Sequence, residues 1–366
     1  SAANELQHVG LKNVTLGQGG TLLLDPKNIT ITDTASAGSW AFSAIMGLGN
    51  GTDSDVSALD DIDRFGSSVS LNAAGDRLAV GAFGDDGAGN TALSAGAAYL
   101  FSFSDTNFNN GTLESTIGSG YTGGKNVDMA NLEGLEGLEG GGDFGDSFGF
   151  SISLNGAGDR LAVGAPGDHG AGNANNDTGA AYLFSFTDAD FNGGTLESTL
   201  GSDYTGGKNV DVTNLDNLDN FGTSVSLNAA GDRLAVGARL DDGAGNVATS
   251  SGAAYLFSFT DTDFNGGTLE STIGKGYTGG KNVDVANLED FDKFGSAVSL
   301  NAVGDRLAVG AEDDNGSGNV SDISGAAYLF SFSDTDFTGG TLESTIGKGY
   351  TGGKNVDVSK LDDGDR

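Results

Sequence analysis

One phrase recurs four times along this chain. It opens on Phe65-Gly66, runs to the Leu-Ala-Val-Gly-Ala stretch that ends at Ala82, and returns from Phe148, Phe221 and Phe294. Each copy is followed by Gly-Ala-Ala-Tyr-Leu-Phe-Ser-Phe, at Gly96–Phe103, Gly179–Phe186, Gly252–Phe259 and Gly325–Phe332. Gly-Thr-Leu-Glu-Ser-Thr and Gly-Tyr-Thr-Gly-Gly-Lys-Asn-Val-Asp complete the unit. The steps are 83, 73 and 73 residues. A fixed period of this size is the signature of a repeat architecture, in which each unit buries its apolar face against its neighbours. Near-identical units multiply a surface or build a scaffold; they seldom form one asymmetric catalytic centre.

Within a unit the pattern has period two. Val69 and Leu71 alternate with serines, and Leu78 and Val80 alternate with Ala79 and Gly81. Tyr99, Phe101 and Phe103 alternate with Ala98, Leu100 and Ser102, and Leu113, Ser115 and Ile117 follow. Such alternation sends successive side chains to opposite faces of a sheet. Asn72–Asp76 and Asp105–Gly111 are turn-like. The predicted fold class is all-β: a propeller-like array of four-stranded antiparallel blades, in four repeats of about 73 residues. Small residues in the second strand would let sheets approach closely. Tyr99, Tyr182, Tyr255 and Tyr328 would fill the space between blades. The extra residues of the first repeat lie in the Leu-Glu-Gly run of Asn131–Asp143, a loop expansion.

Composition narrows the function. The 366 residues carry a net charge of −34, with 17 basic against 51 acidic residues, so nucleic acid and membrane insertion are excluded as partners. Gly is 64 residues, but two Pro and no Gly-X-Y period exclude collagen. The absence of Cys excludes disulfides and thiolate metal sites. No apolar run reaches the ~18 residues of a membrane helix. Ser1-Ala-Ala-Asn-Glu5 lacks the basic start and apolar core of a leader, so a mature, processed or fragmentary chain is expected.

The loop between strands two and three is acidic in every unit. Its candidates are Asp85, Asp86 and Asn90; Asp168 and Asn173; Asp241, Asp242 and Asn246; and Asp313, Asp314 and Asn319. Closely spaced oxygen ligands separated by Gly suit calcium, and equally suit a Gly-rich turn capped by side-chain hydrogen bonds. His169 replaces an Asp in one unit. Asp261–Asp263 reads as a hairpin turn. Catalysis is not expected: His8 and His169 are the only histidines, and no nucleophile elbow or P-loop is present.

The order Phe-Gly-x-Ser-Val, Leu-Ala-Val-Gly-Ala, acidic loop, Gly-Ala-Ala-Tyr-Leu-Phe resembles the FG-GAP repeat of integrin-type β-propellers and their bacterial relatives, over residues 40 to 366. The resemblance implies four-stranded blades and extracellular binding or adhesion. Trp40-Ala-Phe-Ser-Ala-Ile-Met46 is similar to the Trp-led fourth strand of the bacterial relatives. The family's calcium loop between strands one and two is not carried over, since Asn72–Asp76 is too short and too poor in oxygen ligands. Leu11–Ile31 resembles the end of a filamentous-haemagglutinin-type secretion domain, which implies a secreted or cell-surface protein and a longer precursor.

The chain thus divides into an N-terminal β segment, residues 1–36, and the repeats, residues 37–366. The leading expectation is an extracellular structural or adhesive module, assembled with itself head to tail or with other cell-surface components. The rival is a calcium-dependent, lectin-like or integrin-like binding propeller; a hydrolase ranks third. Fourth-strand segments begin near Trp40, Thr112, Thr195, Thr268 and Thr341, one more than a closed four-blade ring needs. Either more blades follow in the precursor or the surplus strand pairs elsewhere, and residues 1–36 or a terminal blade edge are expected to carry a head-to-tail self-contact.

Overall fold

The computed structural model describes residues 5–8, 11–15, 46–47, 54–134, 145–319 and 323–361. The chain forms two compact units, Ser1–Ala44 and Ile45–Arg366. The first contains a hairpin of β1 (Glu5–His8) and β2 (Leu11–Thr15), paired antiparallel. The Trp-led strand expected at 40–45, residues 16–31 of the secretion-domain resemblance, most of the Leu-Glu-Gly expansion and the last five residues lie outside the described residues.

The second unit is all-β among its described residues. It opens with β3 (Met46–Gly47) and β4 (Ser54–Asp55), paired in parallel. Four sheets follow. Sheet 1 holds β5 (Ser68–Leu71), β6 (Arg77–Ala82), β7 (Ala97–Ser102), β8 (Thr112–Gly118) and β9 (Val127–Asp128). Sheet 2 holds β10 (Ser151–Leu154), β11 (Arg160–Ala165), β12 (Ala180–Ser185), β13 (Thr195–Gly201) and β14 (Val210–Asp211). Sheet 3 holds β15 (Phe221–Leu227), β16 (Arg233–Ala238), β17 (Ala253–Ser258), β18 (Thr268–Gly274) and β19 (Val283–Asp284). Sheet 4 holds β20 (Phe294–Leu300), β21 (Arg306–Ala311), β22 (Ala326–Ser331), β23 (Thr341–Gly347) and β24 (Val356–Asp357).

Strand order follows the chain in every sheet. The expectation of four strands is corrected to five. The Gly-Gly-Lys-Asn turn folds the chain back, and two residues pair in parallel with the fourth strand, as Ile117 with Val127. Asn126 Oδ1 fixes this return by accepting the N–H of Thr116 at 2.9 Å, and Ser115 Oγ donates to Lys125 O at 2.8 Å. The pairing of Met46 with Ser54 has the same form. The surplus fourth strand anticipated near Trp40 thus has a described end.

The first hairpin is set by one side chain. Asn72 Oδ1 accepts the N–H groups of Gly75, Asp76 and Arg77 at 2.9–3.1 Å, and Gly75 takes a φ of +75°. Asn155, Asn228 and Asn301 repeat the arrangement. This turn saturates its own acceptor.

The alternation has unequal faces. Tyr99 and Phe101 of β7 point to one side, packed with Leu78, Val80, Val56 and Leu59. Ala98 and Leu100 point to the other, where with Ala79 and Ile117 they receive Phe148, Tyr182 and Phe184 of sheet 2. The next two junctions repeat this pairing of a small-residue face with an aromatic one. Phe148 packs edge-on to Tyr182 at 5.6 Å, and Phe221 to Tyr255 at 5.4 Å. Burial of each such ring contributes about 1.5–3 kcal/mol.

The Phe-Gly start of each sheet is the point of closest approach. Phe148 donates its N–H to Ala95 O at 2.9 Å and pairs in parallel with Gly96, whose φ is +89°. Gly149 O accepts from Ser68 Oγ at 2.8 Å and lies where a Cβ on Gly81 would stand. Gly164 faces Gly222 O in the same way, and Gly237 faces Gly295 O. At Gly310 of sheet 4 the nearest atom to an added Cβ is 3.4 Å away and belongs to its own sheet. Gly237→Ala is therefore expected to cost about 1–3 kcal/mol or more through overpacking, and Gly310→Ala less than about 0.5 kcal/mol. Urea denaturation of the two variants checks this; equal losses would refute the interlock.

Candidate functional site

The acidic loops and the linkers between sheets alternate along one rim. Leu218 of a linker donates its N–H to Asn176 O, and Phe291 to Thr249 O, each at 2.8 Å. All the residues singled out as metal candidates belong to this rim, in two layers.

The inner layer is a buried carboxylate held by tyrosines. Asp85 Oδ2 accepts the Tyr99 hydroxyl at 2.5 Å and the Tyr121 hydroxyl at 3.1 Å, while its Oδ1 accepts the Gly87 N–H at 2.8 Å. Asp168 does the same with Tyr182, Tyr204 and Gly170, and Asp241 with Tyr255, Tyr277 and Gly243. In sheet 4 the position belongs to Asp314, which accepts from Tyr328 at 2.6 Å, Tyr350 and Gly316. Asp313 stands one residue earlier and pairs with Lys293 at 2.6 Å. Burial pushes Asp85, Asp168 and Asp241 above the usual carboxylate range, against the tyrosine hydrogen bonds. Burial and the neighbouring carboxylate hold Tyr255 well above its ordinary value, so it stays a donor.

The outer layer closes the loop. Asp86 Oδ1 accepts the Ser94 N–H at 2.7 Å, and Asp242 Oδ1 the Ser250 N–H at 2.6 Å. Asn315 takes this role in sheet 4. In sheet 2 it falls to His169, whose Nδ1 accepts the Asp177 N–H at 3.1 Å. The substitution therefore preserves an acceptor. Asn90, Asn173, Asn246 and Asn319 all turn the chain at a φ of +54° to +55°. Asn90, Asn246 and Asn319 donate their amides to Asp60, Asp216 and Glu289 of the adjoining linkers.

A hard cation takes about six to eight oxygens. Here both oxygens of the inner carboxylate already accept hydrogen bonds, and the Asn90, Asn246 and Asn319 amides are directed to linkers. Among the described residues no three acidic or imidazole side chains are placed to hold a metal ion together. The donor set fits a hydrogen-bonded turn and does not fit a calcium cage.

Sequence reasoning missed a second buried acid in each repeat, two residues before the Phe-Gly pair. Asp63, Asp146, Asp219 and Asp292 are buried. Each accepts a linker N–H, as Asp219 Oδ2 does from Asp216 at 2.8 Å. Burial, reinforced by the inner carboxylate nearby, pushes Asp219 up to about 8, Asp292 to about 7 and Asp63 to about 6. Its invariant place before Phe-Gly, and the 14- and 36-residue spacings from the inner Asp to its two tyrosines, were the available signals.

Fold and rim together define an all-β repeat protein of blade-like sheets. The FG-GAP repeat family matches it three times, over residues 52–101, 140–184 and 215–257. The unit from Phe294, outside those matches, has the same five-strand order. No curated protein sequence matches the chain. Among solved structures, the crystal structure of Saccharomyces cerevisiae Sqt1 is similar at 9% identity and a TM-score of 0.36, over 79% of this chain and 48% of that one. The chain thus spans about half the length of that protein.

The buried acids give stability a defined pH dependence. The folded values of Asp63, Asp85, Asp168, Asp219, Asp241 and Asp292 lie above the unfolded ~3.9, so the folded chain keeps protons that the unfolded chain releases. Stability is expected to fall as pH rises from about 4 through about 8, then level off. Melting temperatures at pH 5 and pH 8.5 check this, and Asp219→Asn should flatten the slope while retaining the acceptor. Stability that rises over that interval would contradict the assignment.

Proposed function

We propose that this protein is an extracellular structural or adhesive repeat module without catalysis, and that it assembles with itself head to tail. One observation carries the reading: sheet 4 leaves uncovered the face by which sheets 1 to 3 hold their neighbours. Arg77 donates to Asp190 Oδ1 at 2.6 Å and Ala189 O at 2.7 Å of the next sheet. Arg160 and Arg233 repeat these bonds with Asp263 and Asp336. Lys125, Lys208 and Lys281 each donate to a backbone carbonyl of the same turn at 2.6 Å. The side chain of Arg306 is 54% exposed, against 11–15% for its three counterparts, and that of Lys354 is 70% exposed, against 28–31%. Ala308, Ala327 and Leu329 are half-buried where Ala79, Ala98 and Leu100 are buried.

Sheet 1 offers the complementary surface. Val69 and Leu71 are exposed, whereas Ile152, Leu154, Val225 and Leu227 are buried against the preceding sheet. Thr106 and Asn107 of its Asp105–Phe108 turn stand where Ala189 and Asp190 receive Arg77. A second copy docked by sheet 1 on sheet 4 repeats the internal junction, with the neutral Asn107 in place of the carboxylate that the arginine meets in Asp190, Asp263 and Asp336. In that register its Met46 and Gly47 coincide with Ile346 and Gly347, so one of the two equivalent strand ends yields. Val358 and Leu361, half-buried where Met129 and Leu132 are buried, are the less tightly held.

Sedimentation velocity over a concentration series is the test. The intact chain is expected to assemble, and Leu329→Glu to remain monomeric with an unchanged melting temperature. Removal of residues 1–36 separates the two expected routes: assembly that survives it belongs to the sheet face. An intact chain that stays monomeric at high concentration, or a Leu329→Glu variant that assembles as well, would overturn the reading.

A further inference from the structure

Seven large apolar side chains are more than half exposed among the described residues: Ile62, Val69, Leu93, Leu218, Val247, Phe291 and Val303. Val69 belongs to the open face of sheet 1 and Val303 to a hairpin turn. The other five lie on the rim of loops and linkers. Scattered exposed apolar residues are ordinary; a row of them at one structural position is not.

Ile62, Leu218 and Phe291 occupy equivalent linker positions, and all three have left-handed backbone, with φ of +80°, +72° and +70°. Gly or Asn takes this conformation at lower cost, and a β-branched Ile is the least suited to it. Burial does not compensate, since Ile62 is 76% exposed. The turn beneath is pinned: Asp63, Asp219 and Asp292 accept the N–H groups of Asp60, Asp216 and Glu289 at 2.6–2.8 Å. The side chains are therefore held outward on rigid backbone by residues poorly matched to it. Folding alone does not account for them.

The surroundings indicate the partner. Asp60 and Asp61 precede Ile62, Asp216 precedes Leu218, and Glu289 and Asp290 precede Phe291; all five acids are exposed. The nearby cations are engaged, Arg64 over the Phe83 ring and Lys293 with Asp313. Packed sheets stand about 10 Å apart, close to the rise of one three-residue turn of an extended polyproline-II-type chain, in which every third side chain lies on one face. In sheet 2 the linker position is Gly145, and Leu93 of the adjoining loop supplies the apolar side chain.

We propose that this rim docks an extended cationic polypeptide, whose apolar side chains seat on Ile62, Leu218 and Phe291 and whose Lys or Arg residues pair with the flanking acids. Leu218 and Phe291, whose linkers bond to sheets 2 and 3 of the same chain, lie apart from the outer faces of sheets 1 and 4 described above, so only Ile62 stands beside that contact.

Fluorescence anisotropy with three labelled peptides tests this, built of Leu-Lys-Lys, Ala-Lys-Lys or Leu-Gln-Gln repeats. The intact chain is expected to bind the Leu-Lys-Lys peptide most tightly, and less tightly at high salt. The Ile62→Asn, Leu218→Asn, Phe291→Asn triple variant should bind it about tenfold or more weakly. Its melting temperature should be unchanged or higher, because Asn accepts left-handed backbone. Equal binding of the Ala-Lys-Lys peptide would reduce the rim to a plain polyanion and overturn the proposal. So would undiminished binding by the triple variant, equal binding of the Leu-Gln-Gln peptide, or a melting temperature that falls.

Discussion

The array depends on the contact between the Phe-Gly start of one sheet and the Gly-Ala edge of the sheet before it. At this point two backbones touch with no side chain between them. Gly149 O lies over Gly81, and Phe148 bridges to Gly96. A Cβ on either glycine would hold the sheets apart. Once the backbones are in contact, the Phe148 ring is carried between the sheets onto Tyr182 and Phe184. The repeated words at the two ends of this contact are thus two halves of one joint.

Everything else in the junction follows its geometry. One face of each sheet is lined by Ala and Leu, the other by Tyr and Phe, so faces mesh only in one order. The rim of that joint is polar and equally directional. Arg77, Arg160 and Arg233 reach forward to the next sheet's turn. Ser70, Ser153 and Ser226 accept the N–H groups of Leu154, Leu227 and Leu300. An interface that repeats with one polarity gives the two outer sheets unlike faces.

The tyrosine-bound aspartates serve the same joint from the other side. A carboxylate this deep needs donors, and each receives two hydroxyls and a backbone N–H. The second buried acid anchors the linker that delivers the chain to the next Phe-Gly. Two acids close together in an apolar setting favour the protonated form of at least one. The stack is therefore tied to the protonation of its own linkers, while a strongly acidic surface keeps it in solution.

The strands were legible in the amino-acid sequence because period-two alternation is local, as in Leu78–Ala82 and Tyr99–Phe103. So were the close approach at the small-residue strand and the Asn72 turn, whose acceptors and donors lie within a few residues. The fifth strand was not, since Val127 and Asp128 are too short to show a period. The loop acids were found, but their partners were not: Tyr99 and Tyr121 meet Asp85 only after three strands have folded around it. For the same reason Asp313 and Asp314, adjacent and alike in sequence, have different fates. One pairs with Lys293, and the other is enclosed by Tyr328 and Tyr350. Local pattern determined the strands and turns of this protein. Only the packing of sheet on sheet decided which acids are buried, which faces stay open and which apolar residues stand on the rim, because these depend on neighbours that sequence distance conceals.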